Sequence, residues 1–190
     1  MMDRIMRAIT FKTDVYTEVA NDASFTQTAW IIVVVAQFIA QIGEHASLLL
    51  FGEVFRYILA VVVGTVFAVG AFALGVFVIV WLAKALFNTT LTFEQLQRPL
   101  GLASVFSVVG FLGIFGAISI SLLCVTSIIS LVVAVVGFVA FLYALKTVTG
   151  LDWGKVAVLV VADILVSLII GAIVGSFFAV SALASGAALY

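Results

Sequence analysis

The chain has 190 residues, 66% hydrophobic and 9% charged, with a mean hydropathy of +1.42 and a net charge of −1. Soluble domains run near half apolar and a quarter charged, so this composition is that of an integral membrane protein. No basic stripe is present, which argues against a nucleic-acid partner; the one cysteine, Cys124, excludes an intrachain disulfide and any multi-cysteine metal site.

Residues 1–23 are too polar to hold the apolar run of a secretory signal, so they are expected to be a cytoplasmic segment of the mature chain. Projected on a helix, Ile5, Ala8, Ile9, Phe11, Val15, Tyr16 and Val19 fall on one side. Arg7, Thr10, Asp14, Thr17 and Glu18 fall opposite, with Lys12 an exception inside the apolar arc. That pattern predicts one amphipathic helix over 3–20, lying on the membrane surface or docking a partner.

Residues 23–43, 57–83, 99–145 and 164–190 carry no formal charge. A spanning helix needs roughly 20 apolar residues, and the stretch 99–145 suits two spans joined by a tight hairpin. The expected fold is therefore all-α, a polytopic bundle with spans near 25–43, 58–83, 101–119, 126–145 and 156–178. A membrane domain over 24–182 would leave 183–190 as a short external tail. The hairpin is placed in Ser119 to Ser127, where hydroxyls appear without charge; four spans with a re-entrant hairpin is the alternative.

Start signals precede the odd-numbered spans. Ser24 and Gln27 have the spacing of a capping box, and Thr92 and Gln95 repeat it. Pro99 is expected to separate a short helix at 91–98 from span three. In the Thr-Gly-Leu-Asp-Trp-Gly-Lys turn, Gly150 suits the end of span four and Asp152 the cap of span five. Lys146, Lys155 and Trp153 suit the interface. Arg4, Arg7, Lys12, Lys84, Arg98, Lys146 and Lys155 then share one side, and Arg56 stands alone on the other. This bias predicts a cytoplasmic N-terminus and an external C-terminus in a plasma or inner membrane.

Small residues recur at helical spacing: Ala60, Gly64 and Ala68 on span two, Gly110, Gly113 and Gly116 on span three, Gly171, Gly175 and Ala179 on span five. Such rows let helices approach closely, within the chain or against a second copy or another membrane protein. Glu44, His45 and Glu53 match a metal site poorly in spacing, and a solvated loop with Arg56 as counter-charge is expected. Asn88-Thr89-Thr90 fits a glycosylation acceptor, on a side where it would go unused. No pattern suggests a cofactor or a metal.

Asp163 is the one acid inside a span. It lies eight residues beyond Lys155, ~12 Å deep at the helical rise. A charge there costs from ~2.5 kcal/mol upward, so the side chain is expected to face the bundle. Gln37, Gln41, Thr65, Ser104 and Ser107 are the candidate partners. A single carboxylate excludes aspartyl-protease chemistry, which needs two sharing a proton.

Three stretches, VYTEVANDASFTQTAWIIVV, LTFEQLQRPLGLASV and ALKTVTGLDWGKVAVLVV, resemble in order and spacing the Ypt-interacting-protein (Yip) family. The resemblance covers roughly residues 10–180 and is similar to the compact prokaryotic members. It implies five spans, a cytoplasmic N-terminus and no catalytic residues; an association with small GTPases follows by family analogy alone. Pro99, Leu102 and Asp163 depart from the family pattern. The expected role is a non-enzymatic membrane scaffold acting on membrane partners or the bilayer. An accessory subunit of a larger energy-transducing complex, or proton or ion conduction through Asp163, are the alternatives.

Overall fold

The computed structural model describes residues 2–10 and 12–184, and every element among them is helical. Two short helices, α1 (Met2–Ile9) and α2 (Asp14–Asn21), precede the long α3 (Phe25–Glu44). A single turn, α4 (Ser47–Leu50), leads to α5 (Val54–Phe87). The next crossing is composite: α6 (Phe93–Ala103), a 3₁₀ segment (Ser104–Leu112) and α7 (Gly113–Ile118). The last two are α8 (Ile120–Thr149) and α9 (Trp153–Ala184). Among the described residues five stretches are long and apolar enough to cross a membrane: Phe25–Glu44, Val54–Phe87, Phe93–Ile118, Ser121–Thr149 and Trp153–Ile173. The protein is a multi-pass membrane protein, an all-α bundle of five spans. Of the expected features, Phe11 and residues 185–190 of the tail lie outside the described residues, as does the side chain of Ala179.

The N-terminal segment corrects the expectation of one helix over 3–20. It breaks between Ile9 and Asp14, and α2 turns its apolar face inward onto α6 and α8. Val15, Tyr16 and Val19 are fully buried and Ala20 nearly so. Burying a valine-sized side chain contributes about 1.5–3 kcal/mol, whether lipid or protein is the cover. Here α6, α8 and α2 close on one another, so α2 caps one end of the bundle.

Pro99 is a second correction. It sits inside α6, which runs unbroken from Phe93, so 93–98 is the first part of span three itself. The helix then tightens into the nine-residue 3₁₀ segment before returning to α-geometry at Gly113. Runs of 3₁₀ beyond 3–4 residues are uncommon. This one lies where span three crosses α3 at closest approach. Built β-carbons on Gly110 and Gly113 would stand 2.9 Å from Ala40 Cβ and 2.6 Å from the Gly43 carbonyl oxygen.

The hairpin is shorter than expected. Ser119 alone is extended (φ −154°, ψ 138°), and α8 begins at the next residue. The hydroxyl of Thr126 donates to the Leu122 carbonyl at 2.8 Å, so it is satisfied within a helix and requires no loop. Gly116 admits α8 at this turn, a β-carbon there lying 2.7 Å from Leu123 Cδ1.

Candidate functional site

Asp163 lies ten residues into α9, ~15 Å along it at 1.5 Å per residue. It faces the bundle, half-buried, and one carboxylate oxygen occupies the space where a β-carbon on Gly75 of α5 would be. With Gln37, Phe72, Leu100, Phe141 and Ser167 it lines a cavity of about 210 Å³. Among the described residues the carboxylate makes no hydrogen bond or ion pair.

That overturns the expected interhelical bond, because each candidate partner is engaged elsewhere. Thr65 and Ser104 donate to their own helices, at Val61 O and Gly101 O, both at 2.7 Å. Gln41 donates to Glu44 Oε2 at 2.7 Å, while its carbonyl oxygen meets His45 Nε2 at 3.1 Å. Gln37 donates to Ser107 Oγ at 3.5 Å, yet it shares the Asp163 cavity. A larger cavity of about 520 Å³ adjoins the first, and Gln37, Phe72, Leu100 and Phe141 belong to both linings. Ser104, Ser107, Ser130 and Glu44 line the larger one.

The small-residue rows divide into three kinds. Gly110 and Gly113 meet α3 backbone to backbone, opposite Gly43. Gly64 makes room for the Gln41 carboxamide, Ala60 is buried, and Ala68 lines the Asp163 cavity. Gly171 and Gly175 meet nothing within 4 Å, so the expected row on span five has no partner within the described chain. At the far turn, Arg56 pairs with Glu53 at 3.0 Å.

Of the two expected capping boxes, one forms. Thr92 and Gln95 form a complete capping box, with bonds of 3.3 and 3.0 Å. Ser24 does not cap α3: its backbone is already helical, and its own N–H and hydroxyl both donate to Asp22 Oδ1, at 3.0 and 2.6 Å. Gln27 is exposed. The acceptor two residues upstream wins because the Asp22 carboxylate is a stronger acceptor for the Ser24 N–H than the Gln27 carboxamide a capping box would use. Asp152 precedes α9, and its backbone carbonyl accepts from Val156 at 3.0 Å. Gly150 ends α8 in the left-handed region (φ 64°), as expected, and Asn88 ends α5 the same way (φ 52°). Lys146 lies 4.1 Å over the Trp153 ring, and Lys155 5.6 Å over Phe87.

The end of the bundle carrying α1 and α2 holds the residues that sequence reasoning missed. Arg98, 5% exposed, joins three segments. It donates to Thr26 Oγ1 (2.7 Å), the Ala20 carbonyl (2.8 Å) and Glu94 Oε2 (3.2 Å). Beside it Gln97 is fully buried with both side-chain polar atoms unpaired. Tyr16 is buried with its hydroxyl unpaired, and burial pushes its phenol up to about 12. On the outer side Arg4 pairs with Glu18 and Asp22, both at 2.8 Å, and Arg7 with Glu18 at 2.7 Å and with Asp14. The Arg7 and Arg4 guanidiniums hold Glu18 below the usual carboxylate range, and Arg7 does the same for Asp14. The Ser24 hydroxyl, then Arg4, lowers Asp22.

Three segments far apart in sequence converge here on an open cleft of about 440 Å³. Thr17 and Asn21 come from α2, Asn88 to Leu91 from the α5–α6 connection with Gln95, and Thr147 to Thr149 from the end of α8. Its polar groups are hydroxyls and amides without a charge, set among Ala20, Phe87, Leu91 and Val148, and Thr89 Oγ1 is buried there without a partner. Among the described residues no three His, Cys, Asp or Glu side chains gather as a metal site would require. Comparison with protein families, with curated proteins and with solved structures finds no match.

Proposed function

We propose that this protein is a non-catalytic membrane scaffold, of the kind the Yip resemblance implies, working from the end of the bundle that carries α1 and α2. The observation that carries the reading is the convergence of 14–21, 88–95 and 147–149 on one cleft. A surface anchor would leave the apolar face of α2 for lipid. Instead that face is spent on the bundle, and its polar side joins a built platform with neutral donors and acceptors. Such a lining fits an uncharged polar segment of another membrane protein. The charge bias supports a cytoplasmic position for this platform, where a small GTPase suggested by family analogy would also meet it.

The test is purification of the full chain from its own membrane in mild detergent. One membrane protein in fixed ratio is expected, released by Asn21→Lys. A homogeneous chain that carries no partner under several mild detergents contradicts the reading.

The open face of α9 supports a second reading, an accessory subunit seated in a larger membrane complex. Gly171 and Gly175 would admit a neighbouring helix closely, with Leu168 and Ile173 exposed beside them. Gly175→Leu should then release the complex while Asn21→Lys leaves it intact.

A further inference from the structure

We infer that Asp163 is a proton-binding carboxyl that exchanges with bulk water from the Glu44 end of the bundle alone, through the two adjoining cavities. The carboxylate has no cation at hand. The cavity it lines receives side chains from α3, α5, α6 and α8, and none of them is Lys, Arg, His, Asp or Glu. Glu44, on the lining of the larger cavity, is the next titratable group along the way. A lone carboxyl in such surroundings takes its charge balance from a proton rather than from an ion pair.

The way in is graded in polarity. Gln37, Ala40 and Glu44 follow one face of α3, so the larger cavity extends ~10 Å along that helix at 1.5 Å per residue. Ser104, Ser107 and Ser130 supply further hydroxyls on its walls. A water needs roughly 10–15 Å³ of occupied volume and 2–4 polar partners, which both cavities offer. Between them stand Phe72, Leu100 and Phe141, with the Gln37 amide as the one polar group common to both sides. In the opposite direction the packing closes. Ile79 forms the cavity wall on that side, and beyond it Ala83, Leu96, Val156 and Leu159 are fully buried in one apolar cluster between Asp163 and the α2 end. The site therefore faces one aqueous phase.

The test uses the full chain in vesicles of known orientation. Dicyclohexylcarbodiimide enters from the lipid and adds to a protonated carboxyl: the acid proton moves to a carbodiimide nitrogen as the carboxyl oxygen bonds its carbon. Modification of the Asp163 peptide is expected, is lost in Asp163→Asn, and falls about tenfold per pH unit once the group titrates. Sodium at constant pH should not protect. In a Cys124→Ser background, Ser107→Cys should react with a membrane-impermeant methanethiosulfonate from the Glu44 side only, and Val156→Cys, buried outside both cavities, from neither side. Ser130→Cys carries the same expectation as Ser107→Cys if that variant fails to fold. An unmodified Asp163 at every pH, protection by sodium, or labelling of both cavity cysteines from the α2 side alone would overturn the inference.

Discussion

Asp163 and Gly75 share one volume between α9 and α5, the carboxylate oxygen lying where residue 75 would otherwise carry a β-carbon. The pair sets how α9 seats on α5, and it explains why a carboxylate fits inside an apolar span. Gly75→Ala should lower the thermal midpoint in detergent although alanine is the better helix former by about 1 kcal/mol. Overpacking costs about 1–3 kcal/mol. Adding Asp163→Ala should recover part of the loss, with a coupling of about 0.5–3 kcal/mol. Strict additivity of the two changes would separate the residues.

The glycines of span three and span five should behave oppositely. Gly113→Ala forces a β-carbon to 2.6 Å from the Gly43 carbonyl oxygen, where only backbone movement gives relief. It should destabilise the chain by about 1–3 kcal/mol or prevent accumulation. Gly171→Leu and Gly175→Leu meet open space and should stay within about 0.5 kcal/mol of the parent. Thermal melts of the three variants side by side decide it, and equal losses would show that α9 has a different neighbour.

Arg98 ties α2, α3 and α6 through a buried fork that lysine cannot reproduce. Arg98→Lys should cost about 1–3 kcal/mol, since buried acceptors lose their donors. Thr92→Ala, which removes one half of a complete capping box, should cost about 1 kcal/mol. Ser24→Ala should cost less than Asp22→Ala, because Asp22 is the acceptor there. The reverse order would restore Ser24 as the cap.

The contact of α1 with α2 should depend on pH. Asp14, Glu18 and Asp22 have folded values below the unfolded ones, so each contributes stability at neutral pH and loses it as acid passes the folded values, below about 4. Asp14 and Glu18 are exposed and Asp22 is partly so, and salt should weaken the effect. Hydrogen exchange of residues 2–9 should accelerate below that range relative to its intrinsic rate, while α2, held by Val15, Tyr16 and Val19, should remain protected. Unchanged protection of α1 in acid would show that apolar contact holds it.

Hydrophobic runs and charge gaps are a one-dimensional record of which residues sit in hydrocarbon, so the five spans could be read from them. The turn at Gly150 and the box at Thr92 and Gln95 were legible for a similar reason: capping is local, and its partners lie within three residues. The inward face of α2 was not, because lipid and protein reward the same apolar stripe. Nor was the pairing of Asp163 with Gly75. It depends on the rotation of α9 about its own axis, which a run of Val, Leu and Ile does not encode. Arg98 was legible only as one of the basic residues expected on the cytoplasmic side, because its partners Ala20 and Thr26 lie 78 and 72 residues away.

The scaffold reading meets its most direct test at Thr90, exposed on the cleft between α2 and the end of α8. A photo-crosslinking side chain placed there, and illuminated in the native membrane, should yield one discrete adduct. That adduct should disappear with Asn21→Lys and should not form from Phe55, exposed at the other end of the bundle. No adduct at residue 90, or the same adducts from both positions, would contradict the account.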